Sequence, residues 1–371
     1  MTSRLRPAIF ITSPVFRQPA WGSNHPLAIP RQTAMLDLCD MLGWMPADEL
    51  RPTKAASVQT LLRFHHADYL SAFRNACIDG KVSRDVRERY HIGTMENPIF
   101  PGLFERAATT VGGAVLAAEC ALKGGVAYHP SGGTHHGRPD KASGFCYFND
   151  PVFSILTLLE GGIDKVLYVD LDAHHGDGVQ DAFANDARVM TVSIHEENRW
   201  PYSGALDDRG EDGYARNTPV PKGFNDSELA YLMDEAVLPL AAKFMPEAVV
   251  ITCGADALAG DPLSGMSLSN GVLWQAVEAL VGLSKVSVVL GGGGYNPWTV
   301  ARCWAGLWGV LSGRKLPAVL PDKAQAMLRG LESDLVDEDE VEADWISTLR
   351  DQPNTGAVRE HIKANVKTLL A

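Results

Sequence analysis

Short, almost wholly apolar segments recur along the chain, and longer stretches with apolar residues at helical spacing lie between them. The short segments are rich in Val and Ile and lack the polar alternation of a half-exposed strand, which is typical of strands covered on both faces. The pattern predicts six buried strands, at residues 8–12, 126–129, 165–170, 189–194, 248–253 and 286–290.

Helical patterns are predicted over residues 101–123, 151–160, 226–243, 269–283 and 297–311. Asp226, Ser269 and Asn296 are candidate N-caps, and Pro297 suits a first helical position. Strands that alternate with helices indicate an α/β fold with a parallel sheet and helices on both of its faces.

No linker, repeat or low-complexity tract interrupts the first 320 residues, which favours one domain over residues 1–371. Its core is expected at about 8–313, and residues 314–371 are expected to form a C-terminal extension that packs on the domain, ending in a helix near 361–370. Residues 332–344 include eight acidic residues in thirteen; a solvated face is favoured over a binding tail.

Composition narrows the function classes. The 371-residue chain has a formal net charge of −12, which argues against binding nucleic acid by phosphate neutralisation. Its six cysteines show no C-x-x-C pairing, so reduced thiols are expected. Neither a signal-peptide core nor an apolar run long enough to span a membrane is present in the sequence, and we predict a cytoplasmic protein.

Polar side chains cluster just after four of the predicted strands, where ligands bind in open parallel sheets. The segments are GGTHHGRPDK, DLDAHHGDG, GADALAGDP and GGGGYNP. Asp172 and His174 are two residues apart and project to the same side of an extended backbone. With a third carboxylate, for which Asp261 in the GDP turn is preferred, they predict a catalytic metal site. The alternative is that these acids cap loops and His174 is a satisfied core residue.

The adjacent His135 and His136 are candidate acid/base residues, and Asp170 and Asp177 are the carboxylates available to orient their rings. They could instead be further metal ligands or loop hydrogen-bonding residues. Tyr295, carried by the glycine-rich segment, is a candidate donor to a developing oxyanion, with a packing role as the alternative.

These segments, together with HPSGGTHHGRPDKASGFCYFND, YVDLDAHHGDGVQDAF and ITCGADALAGDPL, resemble the zinc-dependent deacetylase family. That family includes histone deacetylases, acetylpolyamine amidohydrolases and bacterial acetoin-utilisation proteins. The resemblance runs from about Ile9 to Gly313. It implies the arginase/deacetylase fold, a single α/β domain around a mainly eight-stranded parallel sheet flanked by helices.

The resemblance also implies a set of site residues. The zinc ligands are Asp172, His174 and Asp261; the catalytic residues are His135, His136, Asp170, Asp177 and Tyr295. An inner structural potassium site takes Asp170, Asp172, His174, Ser193 and Ile194, and an outer one takes Phe183, Val189 and Tyr214. The substrate tunnel takes Gly144, Phe145, Trp200, Leu268 and Gly293, with Arg31 near an acetate-exit cavity and Glu96 as the candidate rim acid.

The implied activity is removal of acetyl or related acyl groups from Nε-acyl-lysine, with one zinc (or, in the cell, ferrous iron) per chain. Acetylated polyamines and other small N-acyl amines are the alternative substrates. An arginase-like ureohydrolase with two metal ions and a catalytically inactive acyl-lysine binder are the less favoured functions. The Trp200-Pro201-Tyr202 segment is bulkier than the family's usual Phe-Pro-Gly. Neither membrane nor nucleic acid is expected as a partner, and a homo-oligomer is left open.

Overall fold

The computed structural model describes residues 7–19, 21–22 and 25–370. Eight strands form one sheet in which every neighbouring pair is parallel, in the order β2-β1-β3-β8-β7-β4-β5-β6. The strands are β1 Ala8–Thr12, β2 Leu50–Pro52, β3 Gly125–His129, β4 Val166–Asp170, β5 Val189–Glu196, β6 Ala215–Val220, β7 Ala248–Thr252 and β8 Val286–Leu290.

The helices connect the strands and cover both faces of the sheet, as a parallel sheet requires. They are α1 Arg31–Met41, α2 Val58–Leu61, α3 Ala67–Asp79, α4 Arg84–Tyr90, α5 Leu103–Ala121, α6 Asp150–Glu160, α7 Asp177–Ala182, α8 Asp226–Leu232, α9 Leu238–Phe244, α10 Asn270–Val281, α11 Pro297–Leu311, α12 Asp322–Arg329, α13 Ala343–Ser347 and α14 Glu360–Leu370. Short 3-10 helices lie at Pro14–Arg17, Pro26–Ala28, Ala255–Ala257 and Glu338–Glu340, and a π-helical segment, Met233–Val237, joins α8 to α9.

The predicted α/β domain with an eight-stranded parallel sheet is confirmed, and all six predicted strands are present. The two strands that the pattern missed are the outermost ones. β2 has three residues and ends in Pro52, while β6 includes polar residues and Pro219. Neither has the continuous apolar run of a strand buried on both faces, so neither shows the signal by which the inner six were found.

One predicted helix start was wrong. Asn225, not Asp226, is the N-cap of α8, because its side chain accepts hydrogen bonds from the backbone N–H groups of Ser227 and Glu228. The Glu228 carboxylate accepts in turn from the Asn225 N–H, which completes a capping box. The predicted N-caps Ser269 and Asn296 are confirmed by their side-chain hydrogen bonds.

The chain beyond residue 313 packs on the core rather than extending away from it. Ile362, Val366 and Leu369 of α14 are buried in the hydrophobic cluster that covers one face of the sheet. Arg359 forms an ion pair with the buried Glu228, with a distance of 2.6 Å between Arg359 Nη2 and Glu228 Oε2. In the acidic segment 332–344 the acidic side chains are exposed, except that of Asp344, which is half-buried.

Within the described residues, no helix combines the length and the apolar character needed to cross a bilayer.

Candidate active site

Loops from four adjacent inner strands meet at one edge of the sheet and form the candidate site. β3, β8, β7 and β4 are neighbours in the sheet and run parallel. Their carboxyl ends therefore lie side by side, and the loops that follow them converge. All four predicted polar segments are brought together in this way.

A carboxylate–imidazole cluster lies at the centre of these loops, formed by Asp172, His174 and Asp256. His174 Nδ1 lies 2.9 Å from Asp256 Oδ2 and 3.2 Å from Asp172 Oδ1. One ligand atom from each residue lies within 4.8 Å of the other two, and in the described part of the chain this is the one group with such a geometry. Two carboxylate oxygens and one imidazole nitrogen are a donor set that fits a catalytic zinc ion.

The third member of this cluster, Asp256, is a second carboxylate of the loop that also contains the predicted ligand Asp261, and the assignment of Asp261 stays a prediction. The Asp261 carboxylate is turned to the backbone of its own and the neighbouring loop: Oδ1 accepts from Leu263 N at 2.9 Å and Oδ2 from Tyr295 N at 2.7 Å. Asp256 lies in the 3-10 helix Ala255–Ala257, directly after β7, and its Oδ2 lies beside His174 Nδ1. Both carboxylates are therefore candidates for the third ligand, and Asp256 is the nearer one to Thr252, the last residue of β7.

Two glycines, Gly254 after β7 and Gly293 in the GGGG segment after β8, allow the backbone to approach these carboxylates. A Cβ on Gly293 would lie 2.1 Å from Asp256 Oδ2, and one on Gly254 would lie 2.2 Å from Asp172 Oδ2. The Gly293 N–H donates to Asp172 Oδ2 at 2.6 Å. A side chain at either glycine would displace a carboxylate of the cluster, so both loops contribute to the cluster geometry through a glycine.

His135 and His136 lie beside the cluster, each with the predicted carboxylate partner. His135 Nδ1 lies 2.6 Å from Asp170 Oδ2, and His136 Nδ1 lies 2.7 Å from Asp177 Oδ1. All four side chains are buried. A carboxylate on Nδ1 fixes that nitrogen as the N–H of the ring and leaves Nε2 facing the cavity.

The two histidines differ in charge. Burial disfavours a charged His135, but the carboxylates of Asp170 and Asp172 outweigh it and raise the pKa of His135 to about 9. Burial and the adjacent His135 lower the pKa of His136 to about 3, although Asp177 opposes this. Of the two rings, whose centroids are 3.9 Å apart, His135 is therefore the one whose surroundings favour the charged form and His136 the one whose surroundings favour the neutral form.

His174 shows how the cluster would couple to protons. Burial opposes its charged form, but hydrogen bonds to Asp172 and Asp256 raise the pKa of His174 to about 10. A divalent ion must compete with that proton for the imidazole nitrogen, so the affinity of the site for the ion is expected to decrease as the pH is lowered.

The histidine loop is held by two residues that sequence reasoning did not single out. Asn149 Nδ2 donates to the carbonyls of His135 and Gly137, at 3.1 and 3.0 Å. Asp150 accepts from the backbone N–H groups of Gly133 and Thr134, at 3.0 and 2.7 Å. Both belong to the FND sequence that begins α6, and their contacts bracket the two catalytic candidates.

Tyr295 reaches the same cavity, with 7% of its surface exposed. Burial and the nearby carboxylates of Asp256 and Asp172 raise its pKa well above the ordinary value, so the phenol keeps its proton. Its backbone is fixed by the hydrogen bond to Asp261. Tyr295 thus brings a protonated phenol to the cavity that contains the cluster.

A cavity of about 350 Å³ contains these groups and continues behind them past Arg31. Gly144, Phe145 and Gly293 line it, as predicted for the tunnel, and Trp200 lines its outer mouth together with Glu96. Arg31 Nη1 donates to the carbonyls of Gly292 and Gly294 at 3.0 and 3.3 Å, and its guanidinium lies over the Trp304 ring.

Leu268, which was predicted for the tunnel, is not among the residues that line the cavity in the described structure. This side chain is 1% exposed and packs in the hydrophobic core, where its backbone N–H donates to the Ala257 carbonyl. The residue of this loop that lines the mouth is Leu263.

The residues predicted to hold potassium lie on the β4, α7 and β5 side of the site. Asp170 accepts from the Tyr168 hydroxyl at 2.6 Å, and Ser193 Oγ lies 2.9 Å from His195 Nδ1, with Ile194 buried between these two positions along β5. Of the outer set, Phe183 is the C-cap of α7, Val189 begins β5 and Tyr214 precedes β6.

The cavity contains two histidines suited to acid/base catalysis, a carboxylate–imidazole cluster and a tyrosine donor. This arrangement is typical of a metal-dependent hydrolase. The family of the Histone deacetylase domain matches residues 25–311. Histone deacetylase 8 of Danio rerio is 34% identical over 328 residues, covering 86% of this chain and 85% of that protein. Acetoin utilization protein AcuC of Bacillus subtilis (strain 168) is 32% identical over 330 residues, covering 84% and 85%.

Solved structures agree. The crystal structure of an HDAC homolog from Aquifex aeolicus superposes with a TM-score of 0.93 at 35% identity, covering 98% of this chain and 100% of that one. An HDAC homolog complexed with SAHA gives a TM-score of 0.92, also at 35% identity, with the same coverage. The chain belongs to the histone deacetylase family, and it is a deacetylase.

Proposed function

We propose that this enzyme is a zinc-dependent deacetylase that removes acetyl or related acyl groups from Nε-acyl-lysine in proteins or peptides and releases acetate. The observation that carries the proposal is the cluster of Asp172, His174 and Asp256 beside His135–His136 and Tyr295 at the bottom of a narrow cavity. An extended acyl-lysine side chain is a ligand that such a cavity would admit, with its amide at the cluster.

The residues then take complementary parts. Asp172, His174 and Asp256 would hold a zinc ion, which would supply Lewis-acid polarisation of the acyl carbonyl and of the attacking water. Neutral His136 accepts the proton of that water at Nε2 and passes it to the leaving amine nitrogen. Protonated His135 offsets the negative charge that develops beside it, and the Tyr295 phenol donates to the same oxygen that becomes the oxyanion.

The mouth of the cavity supports acyl-lysine over a polyamine. Trp200, Tyr202 and Leu263 give it an aromatic and apolar lining. The acidic side chain of its lining is that of Glu96, and one Glu96 oxygen already accepts from Gly144 N. A free cationic tail would meet little negative charge here, whereas a peptide backbone and its side chains could pack on the rings.

The alternative function, an arginase-like ureohydrolase, needs two metal ions. In the described residues, one group of potential ligands has the required geometry, which favours a single catalytic ion over an arginase-like pair. We further propose that Asp170, Ser193 and Ile194 belong to a potassium site that stabilises the β4–β5 side of the cluster. The cytoplasmic location of the protein stays a prediction.

The test compares acetate release from an acetyl-lysine peptide, a longer-chain acyl-lysine peptide and N-acetylputrescine, with zinc or ferrous iron supplied. We expect the acetyl-lysine peptide to give the highest kcat/KM, inhibition by a hydroxamate, and no turnover by the His136→Ala control. A higher kcat/KM for N-acetylputrescine would refute the substrate assignment. Two tightly bound divalent ions per chain would refute the single-ion centre.

A further inference from the structure

A tight turn in the wall of the cavity is held in an unfavourable backbone conformation. Ser143 and Cys146 exchange backbone hydrogen bonds of 3.1 and 2.8 Å, and the two residues between them, Gly144 and Phe145, have φ of +53° and +66°. Positive φ at both central positions is the pattern of a type I′ turn, which favours Gly, Asn and Asp. A phenylalanine at the second position requires support from its surroundings.

The position of this turn explains why an aromatic residue is kept there. The Phe145 ring packs edge-on against Tyr295, with ring centroids 5.9 Å apart, and both side chains line the cavity. On the opposite side, a Cβ on Gly144 would lie 2.3 Å from the Trp200 ring. The turn therefore sets the width between two walls of the tunnel and supports the tyrosine donor.

Two consecutive side chains from a distant loop bind the free N–H groups of this turn. Glu96 Oε1 accepts from Gly144 N at 2.9 Å, and Asn97 Oδ1 accepts from Phe145 N at 3.0 Å. Asn97 Nδ2 also faces Glu96 Oε2 at 3.3 Å, so the amide orientation that serves Phe145 is the one that serves the carboxylate as well.

The loop that presents these side chains is itself fixed. The Asn97 N–H donates to Thr94 Oγ1 at 2.9 Å, and the Gly93 N–H donates to the Asn97 carbonyl at 2.7 Å. The buried Tyr147 hydroxyl donates to the carbonyl of Pro98. Asn97 is fully buried, so its amide has no competing water.

We propose that Glu96 and Asn97 act as a clamp that holds the Gly144–Phe145 turn, and so determine the tunnel width and substrate selectivity. Both are positioning residues. Glu96 acts through its hydrogen bond to the turn and not as an ionic contact to a substrate cation. The proposal rests on the deacetylase function proposed above, but it concerns the wall and not the metal cluster.

Two hydroxamates separate the wall from the cluster. Acetohydroxamate reaches only the bottom of the cavity, whereas a hydroxamate with a linear aliphatic linker also fills the tunnel. We expect Glu96→Ala and Asn97→Ala to weaken the linker compound by about 10- to 100-fold, the scale of a small displacement of a positioning group, and to leave acetohydroxamate binding unchanged. Glu96→Gln is the matched control, because it keeps an oxygen acceptor for Gly144 N, removes the charge and gives up only the 3.3 Å contact with Asn97 Nδ2; it should retain most of the linker binding.

A double-mutant cycle tests the strain directly. Glycine adopts positive φ without support, so Glu96→Ala should cost less in the Phe145→Gly background than in the wild type. Three results would each overturn the clamp. The first is an equal loss of affinity for both hydroxamates, and the second is an equal loss of linker affinity in Glu96→Gln and Glu96→Ala. The third is strict additivity of the two substitutions in the cycle. Failure of the wild type to release acetate from any substrate, with the hydroxamate differences intact, would refute the proposed function and leave the clamp standing.

Discussion

Replacing Asp256 and Asp261 in turn, each by asparagine, separates a metal ligand from a loop anchor. The two carboxylates belong to one loop and have the same charge and size. Only Asp256 lies within ligand distance of His174, at 2.9 Å, whereas both oxygens of Asp261 accept backbone N–H groups. Asn keeps the volume of Asp, so neither change opens a cavity.

The two substitutions are expected to change different quantities: zinc affinity in Asp256→Asn, and the free energy of unfolding and kcat in Asp261→Asn. Loss of a residue that only orients a ligand typically lowers metal affinity by about 10- to 100-fold, and loss of one of three direct donors in Asp256→Asn should exceed that range. In Asp261→Asn, the new amide NH₂ faces either Leu263 N or Tyr295 N and leaves that buried N–H unpaired. The unpaired group should reduce the free energy of unfolding by about 1–3 kcal/mol and lower kcat through Tyr295, with zinc affinity close to wild type.

Zinc affinity is measured by competition with a fluorescent chelator at pH 7, bound metal by elemental analysis, and stability by urea unfolding of the zinc-loaded and chelator-treated proteins. Wild-type affinity in Asp256→Asn together with zinc loss in Asp261→Asn would show that the third donor is Asp261 and that the loop conformation described above is wrong.

Three further changes probe other parts of the molecule. Tyr295→Phe should retain zinc and lose about 10²–10³ in kcat, the usual cost of one oxyanion donor; near-normal turnover would refute the role of the phenol. Gly144→Ala should abolish binding of the linker hydroxamate while leaving bound metal unchanged, because its Cβ would lie 2.3 Å from Trp200; unchanged binding would contradict the wall. Burial lowers the pKa of His65 to about 3, with Nδ1 bonded to the Arg138 carbonyl, so below pH about 6.5 the unfolded state binds a proton that the folded state does not. The free energy of unfolding should fall by about 1.4 kcal/mol per pH unit for this group as the pH drops from 6.5 towards 3, and denaturation of His65→Gln at several pH values should show a slope smaller by one proton; equal slopes would refute it.

Much of the fold follows from the sequence because its inner strands are buried on both faces. Strands such as β7 (AVVIT) and β8 (VSVVL) read as continuous apolar runs. β2 and β6 could not be found in this way, since a strand with one neighbour has an open side on which polar residues and proline are tolerated. Each of these two strands is recognised only when its neighbour in the sheet, β1 for β2 and β5 for β6, is known.

The site was predictable to the level of its loops but not of every side chain. His135, His136 and Tyr295 each stand in a loop with one evident chemical candidate. The loop after β7 offers two carboxylates, Asp256 and Asp261, and three leucines, and composition does not reveal which of these side chains faces the cavity.

The clamp illustrates a different limit. Glu96 and Asn97 precede the turn they hold by 48 residues. Their function depends on the direction of two backbone N–H groups. Because a backbone N–H is the same for every residue except proline, the sequence does not mark the two partners. A contact of this kind becomes visible only when the backbone is in place.

The prolines of the two outermost strands have a consequence for self-association. An open sheet edge offers unpaired N–H and C=O groups to which a strand of another molecule can add. At one edge this row is three residues long and ends in Pro52; at the other, Pro219 has no N–H to donate, and its carbonyl accepts from Asn365 Nδ2 of α14 at 3.4 Å. Intermolecular strand addition is thereby disfavoured at both margins, and the C-terminal helix acts as a guard for one of them.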